Sequence, residues 1–138
     1  METASTDTPN RSLLVLLAED DDDLRALLRD SLEAEGHRVV ELEDGYELGD
    51  YVQVSKSSVS GRIRPDLIIT DVRMPGRSGL EVARHAREVG LDCPIIVVSA
   101  FADPAMRRAV DELGGATLLA KPLDAEAIAR SVSMVARG

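Results

Sequence analysis

Aromatic side chains are almost missing from this 138-residue chain, which has one Phe, two Tyr and no Trp. So few rings leave no stacking platform for single-stranded nucleic acid. Positive charge is scarce too: 16 Lys/Arg stand against 25 Asp/Glu, for a formal charge of −9. A polyphosphate backbone would be repelled by such a surface, which argues against direct nucleic-acid binding. Cysteine occurs once, as Cys93. It can form no internal disulfide and fits a reducing compartment. The longest unbroken apolar run, Leu13 to Ala18, is far short of the roughly 20 residues that span a bilayer. The opening Met-Glu-Thr-Ala-Ser-Thr-Asp lacks the basic start and apolar stretch of a secretory signal. The expectation is a cytoplasmic protein without membrane insertion, and a length that supports one domain.

What the chain does have is acid, unevenly placed. Residues 1–69 carry 16 Asp/Glu against 7 Lys/Arg, while residues 70–138 are balanced at 9 and 9. Five acids are consecutive, Glu19 to Asp23. Residues 1–11 are polar and read as a flexible tail, leaving 12–138 as the domain. In that domain a short apolar run, a polar turn and an amphipathic helix recur five times. The runs are Leu13–Ala18, Arg38–Leu42, Leu67–Thr70, Ile95–Ser99 and Thr117–Ala120. Four are nearly solid apolar, as parallel strands covered on both faces require. This alternation predicts an α/β fold with a parallel sheet between helices.

Helix punctuation supports the pattern. Leu24, Leu27, Leu28 and Leu32 are expected on one face of the first helix, which Gly36 is placed to end. The fourth helix has Asp103 as N-cap, Pro104 at its first position and Gly114 as terminator, with Met106, Ala109, Val110 and Leu113 as its stripe. The fifth opens on Asp124, and Leu123 can staple onto Ile128. A third helix, Leu80 to Val89, has a weaker stripe. From Gly49 to Arg64 the chain is rich in Ser, Gly and Val, and reads as a short second helix from about Tyr46 followed by a long mobile loop.

Ligands of open parallel sheets bind beyond the carboxyl ends of the strands, so the polar residues there matter most. The first strand runs into Glu19, Asp20 and Asp21, and the third into Asp71. The fourth ends at Ser99, and the fifth ends just before Lys121. Clustered carboxylates repel one another and gain stability by sharing a hard cation, for which Mg²⁺ is the natural choice. No His spacing or Cys pair offers a zinc or copper site. A carboxylate held this way opposite a Lys and a Ser can attack phosphorus, because the cation and ammonium neutralise the equatorial oxygens. The product would be an aspartyl phosphate.

These residues lie in Leu16-Leu17-Ala18-Glu19-Asp20-Asp21, Pro65-Asp66-Leu67-Ile68-Ile69-Thr70-Asp71, Met74-Pro75-Gly76, Val97-Val98-Ser99-Ala100 and Lys121-Pro122. In that order they resemble the receiver domain of bacterial two-component response regulators, of the chemotaxis-regulator type, over about residues 12–137. The resemblance implies a flavodoxin-like, doubly wound sheet of five parallel strands in the order 2-1-3-4-5, with five helices. It implies that Asp71 takes the phosphoryl group from a sensor histidine kinase or phosphotransfer protein. Mg²⁺ would sit on Asp20, Asp71 and the Arg73 backbone carbonyl, with Glu19 acting mostly through water. Lys121 would pair with the phosphate, and its bond to Pro122 would be cis. Ser99 would turn toward the phosphoryl group, switching a face of helix four, strand five and helix five, through which two copies could also pair. Such a protein is no turnover enzyme, but it catalyses its own phosphorylation and dephosphorylation.

Two positions depart from the family. Leu118 stands where an aromatic usually lies three residues before the Lys, and Leu123 replaces a common Phe. Other readings are a phosphate sink, a docking module independent of phosphorylation, or a receiver cut from a longer regulator with an output domain. A small-molecule phosphatase with an Asp nucleophile would need a second carboxylate where Arg73 stands. Asp22 and Asp23 read as a solvated helix start, His37 and His85 as surface or packing residues, and Cys93 as a small buried hydrophobe. Phe101 can gate the pocket mouth or pack under its loop, and Arg73 and Arg77 can tune dephosphorylation or simply be solvated.

Overall fold

The computed structural model describes residues 11–56 and 64–137. The tail expected over 1–11 lies outside them except for Arg11, as do residues 57–63 and 138. Five strands and five helices alternate: β1 (Leu14–Ala18), α1 (Asp22–Ala34), β2 (Arg38–Leu42), α2 (Gly45–Lys56), β3 (Leu67–Asp71), α3 (Gly79–Glu88), β4 (Ile95–Ser99), α4 (Pro104–Leu113), β5 (Ala116–Ala120) and α5 (Ala125–Arg137). All strand pairs are parallel and the order is β2-β1-β3-β4-β5. The expected flavodoxin-like sheet is present.

The period-2 geometry of a strand explains the two cores. Leu16 and Ala18 point to one face of the sheet, with Ile68, Ile95 and Val97, and meet α2, α3 and α4. Val15 and Leu17 point to the other, with Leu67, Ile69 and Val98, and meet α1 and α5. The three central strands are buried on both faces, which is why their sequences are solidly apolar rather than alternating. Pointing every strand the same way sends all five carboxyl ends to one edge.

Capping also follows the sequence. Asp103 accepts from the Met106 N–H at 2.8 Å ahead of Pro104, and Asp124 accepts from the Ala127 N–H at 2.7 Å. Leu123 and Ile128 join the same apolar cluster. The third helix is better formed than its composition suggests. Ser78 and Glu81 close a capping box, and the buried face is Gly79, Val82, Ala83 and Ala86, small residues that allow close approach to the sheet.

Three expectations need correction. Residues Gly49 to Lys56 are helical, not loop. Leu48, Val52 and Ser55 are buried along one face of α2, so tertiary packing overrides the low propensity of Gly and Ser. Leu27 does not share the buried stripe of Leu28 and Leu32 but is 52% exposed. Finally, β1 begins at Leu14, because Leu13 gives its N–H to His37 Nδ1 at 3.1 Å rather than to the sheet.

One glycine is demanded by the site itself. A Cβ on Gly79 would lie 2.0 Å from the Asp71 carbonyl oxygen and 2.6 Å from Thr70 Oγ1. Rigid backbone at the end of β3 cannot yield to it. Gly79→Ala should therefore cost about 3 kcal/mol of stability, measured by urea unfolding; an unchanged midpoint would refute this packing account.

Candidate functional site

At the carboxyl edge, β1 ends at Ala18 and hands Glu19 and Asp20 to the loop before α1, while β3 ends on Asp71 itself. Carboxylate oxygens of Glu19, Asp20 and Asp71 lie within 4.8 Å of one another. Glu19 and Asp71 are buried, at 3% and 5% exposure, whereas Asp20 is open to solvent. Lys121, delivered by the end of β5, places its Nζ against Asp71 Oδ2 and 3.4 Å from Glu19 Oε1. The other Asp71 oxygen accepts the Arg73 N–H at 3.1 Å. The Lys121–Pro122 bond is cis.

The electrostatics follow from one cation beside two buried acids, Glu19 and Asp71, and the exposed Asp20. Burial and the neighbouring Asp71 charge push the Glu19 carboxyl up to about 7, against a hydrogen bond from the Asp21 N–H and the charge of Lys121. Lys121 is shifted upward too, by its neighbours rather than by burial. Burial disfavours its charge, but the bond to Asp71 and the charges of Asp71 and Glu19 outweigh it, and its pKa is raised. The cluster is thus short of positive charge, which is the condition that favours a hard cation on oxygen donors.

Ser99 lies at the buried end of β4, where β3 and β5 flank it. Its Oγ is not bonded to Asp71. It accepts the Phe101 N–H at 3.0 Å. Asp21, read from the sequence as part of the strand-one acidic edge, instead caps α1 by accepting from the Asp23 and Leu24 N–H groups at 3.0 and 3.1 Å. Asp22 and Asp23 form the exposed first turn of α1, as expected. An open groove of about 590 Å³ leads from Asp20 past Arg73, Met74 and Pro75 to Glu81.

Sequence reasoning missed Arg25, whose Nη1 donates to the Glu19 carbonyl at 2.8 Å while Nη2 meets Asp22 Oδ1 at 2.7 Å. This fork fixes the backbone that carries the acids. The spacing of Arg25 from Asp22 signals only an ordinary helix pair, so nothing in the sequence pointed to the carbonyl. The Arg73 guanidinium, expected to tune dephosphorylation or to be solvated, lies against a ring instead. Its Cζ lies 4.6 Å from the centroid of the Phe101 ring. Leu118 is half-buried against the core on the α2, α3 and α4 side. Cys93 is half-buried too, and burial pushes its thiol up to about 11, so it stays protonated and unreactive.

The family model described as the response regulator receiver domain matches residues 15–133. The chain belongs to the response regulator receiver family. It is 34% identical over 108 residues to the response regulator receiver protein CpdR of Brucella abortus, covering 78% of this chain and 83% of that one. It is 36% identical over 115 residues to the response regulator MprA of Mycobacterium bovis, covering 83% of this chain but only 46% of that longer protein. Among solved structures, the receiver domain of the hybrid histidine kinase CckA superposes with a TM-score of 0.70 at 28% identity, covering 88% of this receiver and 97% of that chain. As a receiver domain the protein is a component of two-component signalling. No helix among its described residues is long and apolar enough to cross a membrane.

Proposed function

We propose that Asp71 of this receiver accepts a phosphoryl group from the phosphohistidine of a sensor kinase or phosphotransfer protein. The observation that carries the reading is the convergence of Lys121 on Asp71 Oδ2 and Glu19, while the Arg73 N–H holds the other Asp71 oxygen. Fixed in this way, the carboxylate presents an oriented nucleophile rather than a freely rotating one. An Asp71 oxygen attacks phosphorus, the P–N bond of the donor breaks, and the leaving imidazole takes a proton. Lys121 follows the developing charge on the phosphoryl oxygens.

The donor set fits Mg²⁺. Carboxylates of Glu19, Asp20 and Asp71, with the Arg73 backbone carbonyl, would hold it, and the ion would supply charge neutralisation for the equatorial oxygens. Ser99 is poised to move. Its hydroxyl now accepts from the Phe101 N–H, and turning toward the phosphoryl group would draw the β4–α4 loop with it. The consequence is a change on the face of α4, β5 and α5, where a downstream protein or a second copy of the chain would be engaged.

The test is incubation with Mg²⁺ and acetyl phosphate, followed by intact mass. One added phosphoryl group is expected, absent in Asp71→Asn and absent when Mg²⁺ is chelated. An adduct that persists in Asp71→Asn would overturn the assignment.

A further inference from the structure

Leu118 offers no hydroxylated ring at the end of β5, yet the chain does place one ring beside the acceptor site. Phe101 is the single Phe of the sequence and stands 57% exposed. Arg73 lies over it, with Cζ 4.6 Å from the ring centroid. Each partner is tied through its own backbone to the acceptor site: the Arg73 N–H to Asp71 Oδ1 at 3.1 Å, and the Phe101 N–H to Ser99 Oγ at 3.0 Å. The pair therefore bridges the loops after β3 and β4, and both ends of the bridge rest on atoms that phosphorylation would disturb.

We propose that Arg73 and Phe101 form a latch that reports phosphorylation in this chain: the guanidinium holds the ring in the unmodified state and releases it when Asp71 carries a phosphoryl group. The inference rests on the phosphoacceptor reading of Asp71. Its physical basis is competition for one cation. A guanidinium over an exposed ring gains little, whereas a guanidinium facing a phosphoryl dianion makes short, charge-assisted, two-pronged hydrogen bonds. The same event withdraws the Ser99 hydroxyl from the Phe101 N–H, so the backbone carrying the ring loses its anchor as the ring loses its cover. Both changes bias the loop in one direction, and each supplies the differential contact that a two-state switch requires. Arg73 is here a positioning residue for Phe101.

The lone Phe makes the test direct. Full-length chain labelled with 4-fluorophenylalanine gives one ¹⁹F resonance, read in H₂O and D₂O with and without Mg²⁺ and acetyl phosphate, alongside intact mass of the same samples. The H₂O/D₂O isotope shift should rise toward that of free 4-fluorophenylalanine in proportion to the phosphorylated fraction. In Arg73→Ala it should start at the raised value before any donor is added. A sample that carries the adduct with an unmoved resonance overturns the latch while leaving Asp71 as acceptor. An Arg73→Ala spectrum identical to that of the parent also overturns it. Failure to form any adduct removes the phosphoacceptor reading itself, and the latch with it.

Discussion

Replacing Lys121 with Met is expected to slow phosphoryl uptake from acetyl phosphate by about 10²–10³-fold, the usual cost of deleting one preorganised group that faces transition-state charge. Met keeps most of the stem that packs at the end of β5, so the loss isolates the ammonium. That ammonium already sits against Asp71 and within 3.4 Å of Glu19, so no rearrangement is needed to meet the incoming phosphoryl group. Lys121→Arg preserves the charge but spreads it over a wider fork, and should recover part of the rate. Initial rates of adduct formation by intact mass decide the matter. Uptake by Lys121→Met within a few-fold of the parent would remove Lys121 from the chemistry and leave it only a neutralising role.

Lys121→Met also separates two roles the geometry combines. The ammonium offsets the mutual repulsion of Glu19 and Asp71 before any phosphate arrives. Without it, the buried pair has only the exposed Asp20 and backbone donors for company, and the Glu19 carboxyl should hold its proton to still higher pH. A variant that folds normally in mild acid but loses stability as the pH rises would show this role directly.

The strands were legible because burial on both faces leaves no room for polar residues: Leu14–Ala18, Leu67–Thr70 and Ile95–Ser99 could hardly be anything else. The candidate site was legible for a related reason. A parallel sheet sends every strand end to one edge, so Glu19, Asp20, Asp71, Ser99 and Lys121 are juxtaposed by topology rather than by loop detail. What escaped depends on loops and on packing. The helicity of Gly49–Lys56 comes from burying Leu48 and Val52 against the sheet, an energy that local propensity does not contain. Leu27 was misplaced because four leucines within two turns admit more than one stripe, and only i, i+4, i+8 spacing from Leu24 meets the core. The contact of Arg73 with Phe101 joins residues on separate loops, and no periodicity links them.

The last prediction concerns Glu19, which makes the metal-free receiver less stable as pH rises. The folded chain keeps the Glu19 proton until about 7, while the unfolded chain releases it near 4.5. Between those values the folded state binds more protons than the unfolded one, so raising the pH favours unfolding. Full ionisation should cost about 3 kcal/mol, lost across that window and level above it. A divalent cation reverses the sign of the problem, because it favours the ionised carboxylate. Mg²⁺ affinity should therefore climb through the same window, with proton release on binding. Glu19→Gln tests both halves. Lacking the titrating group, it should show a flat pH dependence in chelator and be the more stable protein above the window, by up to about 3 kcal/mol. It should also bind Mg²⁺ more weakly. Urea unfolding across the window, with chelator and with Mg²⁺, reads every term. A parent chain with no slope in chelator would mean that Asp71 and Lys121 already balance the Glu19 charge. A slope that vanishes in Glu19→Gln would locate in one side chain the stability this fold gives up to keep a cation site ready.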